Sequence, residues 1–409
     1  MKLTVLAVTK EDSNILTTDG NFNTEIISDL ETFSGKAAGV CYMKDKYFGT
    51  NVCDNTKAKT RFEKVAPTGH HSIADHSFIS VLFEGIPKIT AMILNSVGFY
   101  NTSEKSGRYT VMKSDEQQNT ANETLYYKWL DIFKQLIPEY DSELAKDTKL
   151  VEKLAMENAR YMLSVFAPNT TMIYTTSLRM WSYLADWCKR YIDVADESTD
   201  FNKKVKECIR DLYNEIGAVG CYSEHIVDNK GRNFNFLAKQ VGYNIYQEEP
   251  CYNSSYLIKY NTSFVDLAQQ QRHRTLDYFM CFDGSFVKYY VPLLLRTTEY
   301  EEKWLADLVT VSDSYPLATM IEVVETGNIS NFMLKCDERL CGRVQLETME
   351  TIKENLKDFY YHNINYPSLF MTKQLKRHIR DDKIIMKCGN IKCKEPCYWG
   401  AKNALTRLI

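Results

Sequence analysis

Arg272-His273-Arg274, within Gln269-Gln270-Gln271-Arg272-His273-Arg274, sets two guanidinium forks on either side of an imidazole. Consecutive side chains leave a helix or strand in different directions, so one tripeptide can serve two neighbouring anionic ligands. An arginine fork grips phosphate through paired hydrogen bonds, and a histidine can donate to, or stack on, an aromatic ring system. Alone, so short a motif is also what a basic patch on a solvated helix face provides. A second segment, far upstream, carries what the first one lacks.

That segment opens with Gly69-His70-His71-Ser72-Ile73-Ala74-Asp75-His76 and continues into the strand-like Ser77-Phe78-Ile79-Ser80-Val81-Leu82-Phe83-Glu84-Gly85. It ends in Ser106-Gly107-Arg108-Tyr109. In this order and register it resembles the flavin-dependent thymidylate synthases. They have a Gly-His-x-Ser/Thr-x-x-Glu-His opening, a strand ending in Glu-Gly, and then Arg-His-Arg-x7-Ser-x-Arg-Tyr. Here Ser96-Val97-Gly98 stands in the Arg-His-Arg slot, and Asp75 stands for the family's glutamate.

The second half shows the reverse. Arg272-His273-Arg274 is present, while the Ser-x-Arg slot holds Phe282-Asp283-Gly284. Thr326-Gly327-Asn328 and Arg339-Leu340-Cys341-Gly342-Arg343-Val344-Gln345-Leu346-Glu347 are similar to the family's Thr-x-Asn-Ala-Arg and Arg-Cys-Cys-x-Arg-Ala-Gln-Trp-Glu runs. The first-half counterpart is Thr175-Thr176-Ser177-Leu178-Arg179, with Cys188 where the arginine would fall. Glu157-Asn158-Ala159-Arg160 matches the family's Ala-Arg helix, and its second-half counterpart falls near Ser312. The chain thus reads as two diverged tandem copies: residues 1–215 with the Ser-x-Arg-Tyr motif, 216–375 with the Arg-His-Arg motif, and a cysteine-containing tail, 376–409.

The resemblance implies C5 methylation of dUMP with methylenetetrahydrofolate, FAD and NADPH, without a cysteine nucleophile. It assigns Ser106, Gly107 and Arg108, with Glu104 nearby, to the nucleotide, faced by Gln269 and Arg272 from the other copy and by Arg160. Arg339 falls between nucleotide and flavin. Ser72, Arg272, His273, Arg274 and Asn328 are the implied flavin contacts, and His70 lies near folate and flavin. Arg339, Ser106 and His70 are the candidates closest to the chemistry. Family sites form between subunits of a tetramer, so two tandem chains imply a homodimer. Two alternatives stay open: a relative hydroxymethylating dUMP or dCMP at C5, and an inactive nucleotide-binding paralogue that regulates an active enzyme.

Elements must hold these residues in place, and the pattern is α+β, antiparallel sheet with long helices. Leu125, Trp129, Ile132, Phe133 and Leu136 recur at helical spacing, as do Val151, Leu154, Ala155, Met162 and Val165 after the capping candidate Asp147. Met349, Ile352, Leu356 and Phe359 form a stripe on a helix expected to start near Arg343. At 409 residues and 44% hydrophobic content, two cored domains are expected. No apolar run approaches a membrane span, and the opening residues read as a strand rather than a signal peptide. Twelve cysteines without an export signal imply reduced thiols in a cytoplasm. A net charge of -3 argues against a polyanion-binding surface, leaving basic residues for small ligands.

Neither Gly-x-Gly-x-x-Gly nor Gly-x4-Gly-Lys-Ser/Thr occurs, so a flavin must be held by side chains. His70, His71 and His76 lack a recognised metal spacing, and His76 reads as a buried structural donor. Cys388, Cys393 and Cys397 are spaced Cys-x4-Cys-x3-Cys, with Cys336 or Cys341 as a fourth partner for zinc. Reduced thiols in ordered packing are the alternative.

Overall fold

The computed structural model describes residues 1–9, 16–17, 24–40, 54–111, 120–227, 235–242, 245–390, 397–400 and 404–409. In chain order the elements are β1 (Lys2–Val8), β2 (Leu16–Thr17), α1 (Thr24–Val40), α2 (Asn55–Val65), β3 (Phe78–Ile86), α3 (Lys88–Leu94) and β4 (Tyr100–Glu104). Then come α4 (Ala121–Tyr140), α5 (Thr148–Ala159), β5 (Thr170–Ser177), α6 (Leu178–Val194) and α7 (Asp200–Val219). The second half contributes β6 (Cys251–Tyr252), β7 (Ser255–Ser263), α8 (Phe264–Gln270), β8 (Asp277–Cys281), α9 (Glu299–Thr310) and β9 (Met320–Asn328). It continues with α10 (Ile329–Arg339), α11 (Leu346–Asn365) and α12 (Leu369–Leu375). The class is α+β with antiparallel sheets. Among the described residues no helix is long and apolar enough to cross a membrane.

The elements sort into two compact units that cut across the linear halves: residues 1–105 with 167–234, and residues 106–166 with 235–409. Residue 215, read as the copy boundary, lies inside the continuous helix α7. Thr199 accepts from the Asn202 amide at the start of that helix, and Gly220 ends it in the left-handed conformation that glycine tolerates best.

In the first unit a five-stranded sheet runs β2-β1-β3-β5-β4. β3 alternates as a half-buried strand must, with Ile79, Val81 and Phe83 inward. Phe83 packs with Tyr174 and the fully buried Trp181. In the second unit a four-stranded sheet runs β6-β7-β9-β8. The orders β1-β3-β5-β4 and β6-β7-β9-β8 are the same path, and in both a helix joins the second strand to the edge strand. The turns after those helices match as well. Ser96 N donates to Ile93 O and Val97 N to Leu94 O, just as Arg272 N donates to Gln269 O and His273 N to Gln270 O.

Helices α4 and α5, although encoded in the first half, belong to the second unit. Trp129 of α4 packs edge-on against Trp304 of α9 with ring centroids 4.7 Å apart, and Trp129 Nε1 donates to Asp307 at 2.8 Å. Both tryptophans are fully buried; truncating either to alanine should cost about 3–5 kcal/mol. Asp147 caps α5 through the Leu150 amide, as its type and position predict. Met162 and Val165, read onto the same helix, are buried but lie beyond it: an Arg160–Met162 turn follows, and Val165 N pairs with Tyr315 O. The Met349, Ile352, Leu356 and Phe359 stripe is fully buried as expected. Its helix, however, starts at Leu346 rather than Arg343, because the carbonyls just before it are held by arginine side chains.

Candidate functional site

The second unit gathers motif residues from both halves of the chain. β7 passes into α8 at Ser263, whose hydroxyl caps the helix through the Asp266 amide at 3.2 Å. That short helix sets Gln269 in its last turn and delivers the Arg272-His273-Arg274 turn. Arg272 and Arg274 are exposed, while His273 between them is buried. His273 Nε2 has no hydrogen-bond partner; the Glu338 carboxylate is 3.6 Å away. Burial, reinforced by the positive charges of Arg339 and Lys335, pushes the imidazole pKa down to about 3. The ring is therefore neutral, and the approach of Glu338 is not an ion pair.

Ser106-Gly107-Arg108-Tyr109 forms a self-closed turn. Ser106 O accepts from the amides of Tyr109 and Thr110, both at 3.1 Å, and from the Thr110 hydroxyl at 2.8 Å. Arg108 N reaches Ser106 Oγ at 3.3 Å. The turn aims Arg108 inward, where its Nε donates to Glu157 at 3.0 Å and its Nη2 to the carbonyl of Arg343 at 2.7 Å. Burial alone would lower the Arg108 pKa; the Glu157 carboxylate outweighs it, and the net direction is upward.

Two of the other nucleotide candidates meet at Gln345, a residue without an expected role, and a third joins them through Gln269. Arg160 and Gln269 both donate to Gln345 Oε1, the latter at 2.7 Å, and Arg339 Nη2 donates to Gln269 O at 3.1 Å. Gln345 Nε2 donates to the Tyr161 hydroxyl at 2.6 Å, which in turn donates to Glu347 at 2.5 Å. Gln345 and Glu347 stand in the Arg-Val-Gln-Leu-Glu run, so their positions were legible although their roles were not. Glu347 also accepts from Ser263 N and Oγ, at 2.9 and 2.7 Å. Burial and the nearby Asp266 charge raise its pKa to about 7. Deeper in the unit, Lys335 and Glu325 form an ion pair at 2.6 Å with neither side chain exposed, and Tyr256 and Tyr260 donate to the same carboxylate.

Beside this network lies a cavity of about 530 Å³, lined by Arg108, Lys153, Tyr161, Arg343, Gln345 and Trp399 among others. The Nε groups of Arg160, Arg339 and Arg407 are buried without partners. An unmet buried donor costs roughly 1–3 kcal/mol, and an anion is what several such donors suit. Arg160 and Gln269 reach the cavity wall through Gln345, and Arg339 through Gln269, but none of the three lines the cavity, nor do Ser106, Gly107, Arg272, His273, Arg274 and Asn328. Asn328 caps α10, its Oδ1 accepting from Ser330 N at 2.7 Å, so a helix cap occupies one of the five residues expected on a flavin.

The remaining candidates belong to the first unit. His70 and Ser72 are exposed at and just inside a 3-10 turn, His71–His76. His76, expected as a buried donor, is exposed; the buried one is His71, whose Nδ1 lies 2.7 Å from the Tyr183 hydroxyl. Asp75 accepts from Ser177 Oγ at 2.9 Å and pairs with Arg179 at 2.7 Å. Glu104 is paired with Lys88 at 2.5 Å. Of the tail cysteines, Cys388 and Cys397 are half-buried and Cys393 lies outside the described residues; no group of three or more potential metal ligands occurs among the described residues.

The family model described as thymidylate synthase complementing protein, Thy1, matches residues 26–187, which bears out the resemblance drawn from the first-half motifs. No curated protein sequence matches the chain significantly. Among solved structures, the chain is similar to the flavin-dependent thymidylate synthase ThyX of Helicobacter pylori complexed with FAD and dUMP, at 14% identity and a TM-score of 0.30, covering 55% of this chain and 100% of that one. It is also similar to the UMP/dUMP methylase PolB of Streptomyces cacaoi bound with 5-Br dUMP, at 14% identity and a TM-score of 0.28, covering 46% and 86%.

Proposed function

From a chain whose residues 26–187 belong to the thymidylate synthase complementing family, we propose a flavin-dependent thymidylate synthase-like transferase that methylates C5 of dUMP, with methylenetetrahydrofolate as donor and FAD and NADPH as redox partners. The observation that carries this reading is the hydrogen bond from Arg108, a first-half motif residue, to the carbonyl of Arg343 inside the second-half motif. Complementary motif sets from the two halves thereby share one compact unit. The common strand path of the two sheets supports their origin as diverged copies.

In this reading Ser106 and Arg108 hold the nucleotide phosphate, while Gln345, itself gripped by Arg160 and Gln269, orients the nucleotide from the facing side. Arg339 steadies that wall through the Gln269 carbonyl. His273 suits a flavin: its buried Nε2 is unmatched, it is neutral, and an exposed arginine stands on each side. A bound reduced flavin would supply the hydride that completes the methyl group. The chain's own contribution is to position reactants and complement charge in a site shielded from water. His70 and Ser72 remain the first-unit candidates for the donor and flavin, and two chains would form a homodimer.

The test is product mass after incubating the protein with dUMP, methylenetetrahydrofolate, FAD and NADPH. A methyl gain is expected; a hydroxymethyl gain would make it a hydroxymethylating relative, and tight dUMP binding without turnover a regulatory paralogue. Arg108→Ala should weaken dUMP binding about tenfold or more by removing a charge-assisted grip, and calorimetry should count one dUMP per chain. Two per chain would overturn the composite site.

A further inference from the structure

Residues 397–400 and 404–409 lie outside the matched residues 26–187 and outside every family motif quoted above, yet they supply six lining residues of the Arg108 cavity: Cys397, Tyr398, Trp399, Arg407, Leu408 and Ile409. Arg407 is only 5% exposed. Its two terminal nitrogens donate to the carbonyls of Gly342 and Val344, and its guanidinium carbon sits 5.3 Å from the Trp399 ring centroid. Arg108 holds the carbonyl between them, that of Arg343. Three successive carbonyls, 342 to 344, are thus gripped by two arginines, and this turn carries Arg343 and Gln345 into the cavity.

The approach is close enough to dictate residue type at Gly342. A β-carbon there would meet Cys397 Sγ and Trp399 Cβ at 3.1 Å and Ala404 Cβ at 3.2 Å. The segment is also tied to the end of α4: Tyr398 OH donates to Asp141 at 2.9 Å, and Leu408 N donates to Tyr140 OH at 3.2 Å. Close beside Arg108, Arg407 keeps a buried Nε with no partner. Burial lowers the Arg407 pKa; Glu157, the carboxylate paired with Arg108, works against that shift and the Arg108 charge adds to it. Arg108 and Arg407 line this partly enclosed space with Lys153 and Arg343, against the carboxyl groups of Asp147, Glu157 and Glu347, and a phosphate would relieve the repulsion between the two guanidiniums.

We propose that residues 397–399 and 407–409 complete the anion subsite of this cavity, with Arg407 fixing the 342–344 turn and, with Arg108, receiving the phosphate of a nucleoside monophosphate. This rests on the nucleotide reading above for the base, but not for the phosphate. The segment is a built wall of the site, not an appendage to it. Phosphate selectivity should then depend on a residue that the family motifs do not contain.

The experiment is calorimetric titration of the full chain with dUMP, deoxyuridine and inorganic phosphate, in wild type, Arg407→Gln and Gly342→Ala. If wild type prefers dUMP to deoxyuridine, Arg407→Gln should reduce that preference about tenfold or more, as loss of a charged hydrogen-bonding group does. A merely structural change would weaken both ligands alike. Gly342→Ala, which removes no charge but displaces the segment, should lower the same ratio and keeps the test valid where Arg407→Gln does not fold. An unchanged ratio in both variants overturns the inference while leaving the proposed function intact. Loss of inorganic phosphate binding in the variants of a chain that ignores dUMP supports the anion subsite and overturns the pyrimidine reading. A wild type that binds none of the three overturns both.

Discussion

The turn after α3 and the turn after α8 share a backbone and differ in everything the side chains do. Both close with the same two amide-to-carbonyl bonds, Ser96 and Val97 in one, Arg272 and His273 in the other. At the inward position the first has Val97, 2% exposed, and the second has His273, 9% exposed and with an unmatched nitrogen. The pattern repeats along the chain. Cys188 is a fully buried thiol whose pKa burial drives up, where Arg339 bonds the Gln269 carbonyl with one nitrogen buried and unmet. The exchange reverses at the third motif. Phe282 packs edge-on against Phe264 and Asp283 pairs with Lys239, where Ser106-Gly107-Arg108 closes a turn that puts Arg108 in the cavity wall. One backbone plan therefore serves as scaffold when its inward groups are apolar or paired, and as a site when they are polar and left open, at a cost in stability that a ligand can offset.

Breaking the second unit's polar core should have the largest effect. Lys335→Met leaves Glu325 buried without its counter-charge and should destabilise the protein by about 3–5 kcal/mol, read by urea denaturation; adding Glu325→Leu should recover much of the loss. A single-variant cost under about 1 kcal/mol would mean that the core is not held by this pair.

Glu347 gives a pH signature. Its folded pKa, about 7, is raised by burial above the ordinary glutamate value of 4.5, so the folded protein holds a proton that the unfolded chain releases. Stability should therefore fall as pH rises from about 4.5 to about 7, by up to about 1.4 kcal/mol per pH unit crossed, and level off above. In Glu347→Gln that descent should vanish. Parallel stability–pH curves for the two proteins would refute the buried, proton-holding carboxylate.

Copying the scaffold turn into the site turn is the sharpest comparison. His273→Val should leave the melting temperature unchanged or slightly higher, because an unmet buried polar group is removed. Flavin affinity should drop roughly tenfold, measured by absorbance of the purified protein titrated with FAD. Undiminished flavin binding would return His273 to the scaffold. The smallest effect is expected in the first unit. Asp75→Asn loses a partly exposed ion pair with Arg179, worth about 1 kcal/mol or less, and dUMP affinity should not change; a loss of affinity there would blur the division between scaffold and site.

Local chemistry made part of this readable in advance. The Asp147 cap, the alternation of β3 and the buried stripe on α11 follow from periods of two and 3.6 residues and from the unmet amides at a helix start, and these are properties of neighbouring residues. The motifs likewise named the arginines, because a guanidinium fork beside a serine or histidine is chemically restricted wherever it folds. Beyond that range the sequence was silent or misleading. It placed a copy boundary inside α7, buried His76 instead of His71, and started α11 three residues early. It could not show that α4 and α5 join the second unit, that Gln345 is where Arg160 and Gln269 converge, or that Arg407 grips the carbonyls of Gly342 and Val344, 65 and 63 residues away. The sequence by itself determined the family resemblance, the α+β class and which residue types were available for phosphate and flavin. Tertiary structure alone decided which of them meet, which are spent on caps and ion pairs, and which are left unmatched, because hydrogen-bond satisfaction and burial are set by groups that are remote in the chain and adjacent only after folding.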